Sequence, residues 1–333
     1  MITVDRLALV CPACRSALID AAECDALLCE GCGRVFGDVA GMPDVRLNPD
    51  RYLSLPAERA KAERLRRIAP STDVMGLASA YYDLTDDVVD RRRARFLRHI
   101  EGAEARGEAL ATRLPRTGRV LEVGCGTGGL LSALAREGRE AVGVDIASRW
   151  LVVARRRLED RGLEVSLVAA EAERLPWPDS SFDVVAADSL LEHLDDPGAA
   201  LREFRRVLRP GGTLVVWSPN RFTLSTDPHL GLWGLGWLPR GLLPAYLRWR
   251  GRTEWPPRTL SAVWAGRLAR MSGFRNVRIG APPVTDEWAR NRTGPEGKAL
   301  RTYRSVHATV VGRAALTAVG PVWELRAEAG RER

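Results

Sequence analysis

Arg119-Val120-Leu121-Glu122-Val123-Gly124-Cys125-Gly126-Thr127-Gly128-Gly129 decides the fold. An apolar run enters a cluster of glycines, and Leu130 to Ala135 continue as a helical pattern. The stretch reads as a buried strand, a glycine loop and a helix whose free N–H groups aim at the loop. Glycine is needed where the backbone turns sharply and must approach a ligand with no Cβ in the way. Such a loop cradles a nucleotide-like cofactor. Gly124, Gly126 and Gly129 also satisfy the spacing G-x-G-x-x-G, so the loop alone leaves the cofactor class open.

Working outward, Ala141-Val142-Gly143-Val144-Asp145 is a second apolar strand ending in an acid, where a carboxylate can accept both hydroxyls of a ribose. Val165-Ser166-Leu167-Val168 is a third strand. It leads through Ala169-Ala170-Glu171-Ala172 to Leu175-Pro176-Trp177-Pro178-Asp179, and Ser180-Ser181-Phe182-Asp183-Val184-Val185 begins a fourth. A nicotinamide-dependent dehydrogenase accounts for the glycine loop and Asp145. It does not account for Glu171 or the Leu175–Asp183 segment.

With Leu191-Glu192-His193-Leu194 and Arg206-Val207-Leu208-Arg209-Pro210-Gly211-Gly212 following in order, residues 118–220 closely resemble the class I S-adenosylmethionine-dependent methyltransferases. Among these the likeness is to the small-molecule subgroup of ubiquinone-biosynthesis enzymes; the rest of the chain matches loosely. The resemblance implies an α/β fold, a Rossmann-like seven-stranded methyltransferase sheet with helices on both faces. It implies that Glu122, Gly124 and Gly126 hold the methionine end and ribose of S-adenosyl-L-methionine, and that Asp145 takes the ribose diol. Glu171 stands where the family usually has Asp, against the adenine amino group, and Ala172 adds a backbone donor. Ser189 and His193 are expected near the sulfonium and its methyl. A Tyr-Asp pair ahead of the core often belongs to a lid in this family, so Tyr81 or Tyr82 is a candidate to close on the cofactor, with aromatic packing between helices as the alternative.

Cysteine spacing gives the second signal. Cys11-Pro12-Ala13-Cys14 and Cys29-Glu30-Gly31-Cys32 are two C-x-x-C knuckles that can close a tetrahedral zinc site. A module this small cannot fold on hydrophobic burial alone, so a structural Zn2+ would supply the missing stability. The module resembles a zinc ribbon, and its uses are a structural cap, a docking surface for a macromolecule, or contact with ribosomal RNA. Phe36 is the only aromatic before Tyr52, which argues against nucleic acid. Cys24 is read as a small hydrophobe, and Cys125 as a small side chain under the glycine turn.

The chain has 333 residues, 45% hydrophobic, with a net charge of +8. Only Lys61 and Lys298 are lysines, so the positive charge is nearly all arginine, which reads as compositional bias before it reads as a nucleic-acid surface. Met1 to Val10 lack the apolar core of a signal peptide, so a cytoplasmic protein is expected.

These signals divide the chain into a zinc ribbon (1–47), a helical linker and cofactor lid (48–115), a methyltransferase domain (116–315) and a C-terminal tail (316–333). Pro56 suits a helix start and Pro70 a helix end. Arg91-Arg92-Arg93 reads as a solvated helix face. After a fifth strand at Thr213–Trp217, residues 218–260 form an insertion at the carboxyl ends of the strands, where open α/β sheets bind ligands. It is the candidate acceptor cap. Its charge-free stretch from Pro228 to Pro239 is too short to span a membrane, which needs about 20 residues. Tryptophan, leucine and arginine across 228–250 suit either a buried cap or peripheral membrane contact. Val277-Arg278-Ile279 is expected as a sixth strand and Ser305 to Val311 as a seventh, antiparallel and inserted beside the fifth.

The reaction implied is methyl transfer to a small-molecule or lipid-linked acceptor, most simply at a hydroxyl. His193 and His229 are the candidate bases, since neutral imidazole accepts a proton near neutral pH. His99 and His307 read as surface or strand residues. A macromolecule methyltransferase that docks its substrate through the ribbon, and a non-catalytic zinc adaptor, are the competing functions.

Overall fold

The computed structural model describes residues 7–21, 26–85, 90–227, 229–251, 258–285 and 294–330. The expectation for Cys24, and those for the side chains of Arg91 and Arg92, lie outside the described residues. The chain divides into two compact units, Met1–Ala186 with Arg206–Arg209, and Ala187–Arg205 with Pro210–Arg333.

In the first unit, strands β1 (Leu18–Ala21), β2 (Ala26–Cys29), β3 (Val35–Val39) and β4 (Met42–Asp44) form an antiparallel meander. β5 (Val120–Val123), β6 (Ala141–Asp145), β7 (Ser166–Ala169) and β8 (Phe182–Asp188), which ends in the second unit, form a parallel sheet in the order β7-β6-β5-β8. All four residues of β5 are buried, as a parallel strand covered on both faces requires. This cysteine-bearing meander is not a detached appendage. Asp44 of β4 pairs in parallel with Ala169 of β7, and Val45 N–H donates to the Ala169 carbonyl at 3.0 Å. The meander thus covers a sheet edge whose backbone groups would otherwise lie open.

Helices Leu55–Ile68, Val74–Asp83, Asp90–Glu101 and Ala103–Ala111 fill the linker. Ser54 caps the first, Pro56 occupies its first turn, and a short 3-10 turn holding Pro70 ends it, as the sequence predicts. The last crosses the helix Gly129–Arg136 backbone to backbone: a Cβ on Gly107 would stand 2.4 Å from the Gly129 carbonyl group. That close crossing fixes the helix that follows the glycine loop.

The second unit contains most of β9 (Leu208–Pro219), with β10 (Phe274–Gly280) and β11 (Val322–Ala329). β11 lies between the other two and is antiparallel to both. Its position beside the fifth core strand is the expected one for the final strand, but its residues are not. Ser305 to His307 end the helix Gly294–His307, and Val310–Val319 is a further helix capped by Thr309, whose side chain accepts from Gly312 N–H. Val310 and Val311 are exposed, so this apolar run lacks the burial that would make it a strand. Residues expected as a tail instead carry a buried alternation, Trp323, Leu325, Ala327 and Ala329. Trp323 Nε1 donates to the Leu260 carbonyl at 3.0 Å, and Glu324 accepts from Trp217 Nε1 at 2.8 Å. His307 ends a helix, its ring nitrogen 3.0 Å from the Ala281 carbonyl. Among the described residues, no helix is long and apolar enough to cross a membrane.

Candidate functional site

The glycine loop emerges from β5 and is bound from below by β6. Gly124 and Cys125 N–H both donate to the Val144 carbonyl, at 2.8 and 3.1 Å. Gly124, Gly126 and Gly128 all have positive φ (72°, 48° and 76°), so the loop needs the backbone freedom that glycine alone gives at no steric cost. Arg157 Nε donates to the Thr127 carbonyl at 2.7 Å and steadies the far side. Cys125 lies buried beneath the turn, as its small side chain suggests, and burial pushes its thiol well above the ordinary range. A thiol so held stays protonated and is a poor nucleophile.

Asp145, at the end of β6, faces this loop. Its Oδ2 accepts from Gly126 N–H and its Oδ1 from Ala147 N–H, each at 2.8 Å. Burial pushes the Asp145 carboxyl above its ordinary range even though these two bonds pull it down. Each oxygen keeps a second acceptor site, enough for a ribose diol. A Cβ added at Gly126 would meet nothing within 4 Å, so the loop borders open space. Glu171, two residues beyond β7, is buried; Leu47 and Asn48 N–H donate to its Oε1, the former at 3.2 Å. Its buried Oε2 has no hydrogen-bond partner among the described residues. Burial raises the Glu171 carboxyl against those two amides. Glu171 follows Ala170, whose N–H donates to the Asp145 carbonyl at 3.1 Å, and its free acceptor, the spare acceptor sites of Asp145 and the glycine cradle fit an adenosine-containing cofactor. Glu122 on β5 and Ala172 are buried in the same unit.

Tyr81 is buried in an aromatic group. Its ring lies 4.4 Å from that of Trp150, 4.8 Å from that of Tyr82, and beneath Lys61 Nζ at 5.0 Å. Trp150 belongs to the helix Ser148–Glu159, which starts three residues after Asp145.

Sequence reading misses the buried charges beside this site. Asp44 receives two bonds of 2.7 Å from Arg46 and one of 2.7 Å from Arg59, while Arg46 also donates to the Ile146 carbonyl at 2.7 Å. Glu58 accepts from Arg149 N–H at 2.9 Å and pairs with the Arg149 guanidinium, which also reaches Asp50 at 2.9 Å. The Arg149 pairs fasten the linker to the helix just after Asp145, and Arg59 ties it to Asp44 of β4. The available signal was weak: three acids and three arginines scattered over about a hundred residues, with no spacing that pairs them.

The four predicted cysteine ligands converge. Cys11 Sγ lies 3.8 Å from Cys32 Sγ and Cys14 Sγ 3.4 Å from Cys29 Sγ, and all four sulfurs are within 4.8 Å of one another. A tetrahedral zinc site with bonds of about 2.3 Å spaces its sulfurs about 3.8 Å apart, so the cluster fits a metal ion. The knuckles turn alike, with Arg15 N–H donating to the Cys11 carbonyl and Gly33 N–H to the Cys29 carbonyl; both residues have positive φ. Trp177 in the Leu175–Asp183 segment is fully buried and donates from Nε1 to the Leu7 carbonyl at 3.0 Å, while Val10 N–H donates to the Pro176 carbonyl. That segment therefore seats the residues just ahead of the first cysteine knuckle.

In the second unit Ser189 has φ of +55°, and its N–H donates to the Trp217 carbonyl at 2.9 Å. A serine in the left-handed region is strained and marks a backbone held by its surroundings. His193 and His229 come together, with ring centroids 4.7 Å apart and planes at 88°. Glu192, fully buried, is the third member of the cluster and was not singled out from the sequence. The insertion folds around its own small core of Leu230, Leu232, Leu235 and Leu247, with Trp233, Trp237, Leu242 and Trp249 outside and exposed. Four leucines are thus buried while the three tryptophans and Leu242 face outward.

The sequence profile of the family described as "Methyltransferase domain" matches residues 121–216. That match spans the glycine loop and the parallel sheet, whose order and flanking helices are consistent with a class I, Rossmann-like methyltransferase core. The chain is 37% identical over 135 residues to the ubiquinone biosynthesis O-methyltransferase of Cereibacter sphaeroides, covering 40% of this chain and 55% of that protein. It is 36% identical over 174 residues to the ubiquinone/menaquinone biosynthesis C-methyltransferase UbiE of Azotobacter vinelandii, covering 50% and 62%. It is 45% identical over 100 residues to the demethylmenaquinone methyltransferase of Thermus thermophilus, covering 29% and 46%. The chain thus spans about half the length of the curated relatives it matches.

Proposed function

We propose that this protein transfers a methyl group from S-adenosyl-L-methionine to a hydroxyl of a small, apolar or lipid-linked acceptor. The observation that carries the reading is the arrangement of Asp145, Gly126 and Glu171, two acids with spare acceptor sites beside a glycine loop that borders open space. The relatives' names, which concern ubiquinone and menaquinone biosynthesis, support a phenol or quinol as acceptor.

In this reading the cofactor supplies an activated methyl on a sulfonium. Asp145 holds the ribose diol, Glu171 Oε2 and Ala172 the adenine, and Glu122 with Gly124 and Gly126 the methionine end; Tyr81 and Ser189 border the same cofactor. Most of the rate comes from holding acceptor and methyl close and aligned. His193 and His229 take the hydroxyl proton. Residues 218–260 form the acceptor cap, and its exposed tryptophans across 228–250 rest on a membrane surface that carries the acceptor. Cys11, Cys14, Cys29 and Cys32 hold a structural Zn2+ that keeps the ribbon folded.

Calorimetric titration of the zinc-loaded protein with S-adenosyl-L-methionine, and separately with NADH, tests the reading. One-site binding of the methyl donor alone, followed by transfer of labelled methyl to a demethylated quinol, is the expected result. A folded protein that binds neither compound would overturn it and leave a zinc adaptor as the better description.

A further inference from the structure

Glu192 sits on the 3-10 turn Leu191–His193 and is 0% exposed. Ser218 Oγ, on β9, donates to its Oε2 at 3.1 Å. The other oxygen, Oε1, has no hydrogen-bond partner among the described residues. His229 Nε2 lies 3.7 Å away from it and likewise has none. His229 reaches this place from the insertion, on a loop pinned by Asp227, whose Oδ1 accepts the N–H groups of His229 and Leu230 at 2.9 and 2.7 Å. The ring of His193 stands edge-on to His229.

Two buried polar atoms that face each other without partners are costly to leave so. A shift of about 1 Å brings them to the 2.7–2.9 Å of a charge-assisted hydrogen bond. Burial pushes the Glu192 carboxyl up, but His229 and His193 outweigh it and hold the group below its ordinary range. The carboxylate is therefore available to an imidazole N–H.

We propose that Glu192 is a positioning residue: it fixes neutral His229 with the proton on Nε2, so that Nδ1 is the nitrogen that accepts the acceptor's hydroxyl proton. The inference rests on the methyl transfer proposed above. As the acceptor's O–C bond forms, the S–C bond of the donor breaks and its electron pair stays on sulfur. The O–H proton passes to Nδ1, giving an imidazolium that faces the carboxylate. A third group that orients the base is the general logic of such pairs. Among the described residues, the titratable groups that contact His229 are Glu192 and His193 on the turn and Asp227 in its own loop; β9 contributes the uncharged Ser218.

The chain has four histidines, His99, His193, His229 and His307, so a histidine-labelled sample gives a nitrogen NMR titration simple enough to assign. The wild-type protein should show neutral His229 as the Nε2–H tautomer. Glu192→Gln should erase that tautomer preference, because the carboxylate that holds the proton on Nε2 is gone. A merely structural Glu192 would leave the tautomer unchanged. If Glu192→Gln does not fold, His229→Asn reports the same coupling from the other side, with the Glu192 carboxyl rising. An unmoved partner in both variants overturns the proposal, as does a second zinc equivalent, beyond that held by the cysteines, that quenches both histidine titrations. Calorimetry on the same samples separates the two readings. Wild-type protein that shows the Nε2–H tautomer but does not bind S-adenosyl-L-methionine supports the pair and overturns the methyl transfer.

Discussion

Asp145 Oδ2 accepts the N–H of Gly126 at 2.8 Å, tying the acid that ends one strand to the loop that leaves its neighbour. The loop is thus shaped before any ligand arrives. Asp145→Asn removes the charge that burial already disfavours, and it sacrifices one of the two amide bonds. Stability should change by no more than about 1 kcal/mol, since the lost bond and the relieved charge oppose each other. Affinity for S-adenosyl-L-methionine should fall about 10- to 100-fold, the worth of a hydrogen bond to a charged group, and Asp145→Ala should abolish it. Thermal unfolding and calorimetry on the same samples check both parts; equal losses in each would contradict this division.

A different balance governs Asp44. Burial pushes its carboxyl up, but the guanidinium groups of Arg46 and Arg59 outweigh this and hold it below the ordinary carboxylate value. Arg46 is as buried as Asp44, whereas Arg59 is 46% exposed and solvent screens its share. With the folded value depressed, the stabilisation is complete above the unfolded value of about 3.9 and disappears as pH falls through the folded one. Asp44→Asn strands a buried guanidinium and should cost about 3–5 kcal/mol at pH 7. Denaturant midpoints from pH 7 to pH 2 should converge for the two proteins at the acid end.

Metal removal should act locally. Ser16 and neighbouring donors bring Cys14 down to about 6, while burial pushes Cys11 up to about 12, so the free thiols do not ionise together without a cation. One zinc per chain is expected by elemental analysis, and Cys32→Ser should lower it. Hydrogen exchange after chelation should speed up in β1 and β2 and at the Val10 amide and the Trp177 indole N–H, where Val10 bonds to Pro176 and the Trp177 indole to Leu7. β5 and β6 should keep their protection. Uniform loss across the sheet would show instead that the ribbon holds up the whole first unit.

Local signals made most of this legible. The glycine loop, Asp145, the knuckles and the proline-bounded helix are each set by residues within a few positions of one another, and the structure puts them where the sequence does. The failures are long-range. Ser305 to Val311 carries the composition of a strand, but Thr309 offers a helix cap and no sheet edge buries the valines. Val322 to Ala329 reads as a tail although it alternates, because only its place between β9 and β10 makes three charged residues acceptable in a largely buried strand. Glu192 hid beside a histidine that drew the attention. Its importance depends on Ser218 and His229, which the fold alone brings together.

The exposed rings of the insertion make the last prediction. Trp233 and Trp237 donate their indole N–H groups inward, to the carbonyls of Leu224 and Thr223 at 3.0 and 3.2 Å, so what they turn outward is carbon. Trp249 is 77% exposed, and exposed Arg240, Arg248 and Arg250 lie along the same stretch, which contains no acid from residue 229 to 251. Aromatic and cationic groups together suit the boundary of an anionic bilayer. The protein should sediment with vesicles containing anionic phospholipid, less so at high salt, and weakly with zwitterionic ones. Trp249→Ala, which breaks no hydrogen bond recorded for that ring, should weaken binding about tenfold, the worth of burying one large aromatic surface. Trp233→Ala should do the same, since the freed Leu224 carbonyl sits on an exposed residue and can turn to water. Binding that ignores lipid charge, or that survives both substitutions, would mean the rings serve the acceptor and not the membrane.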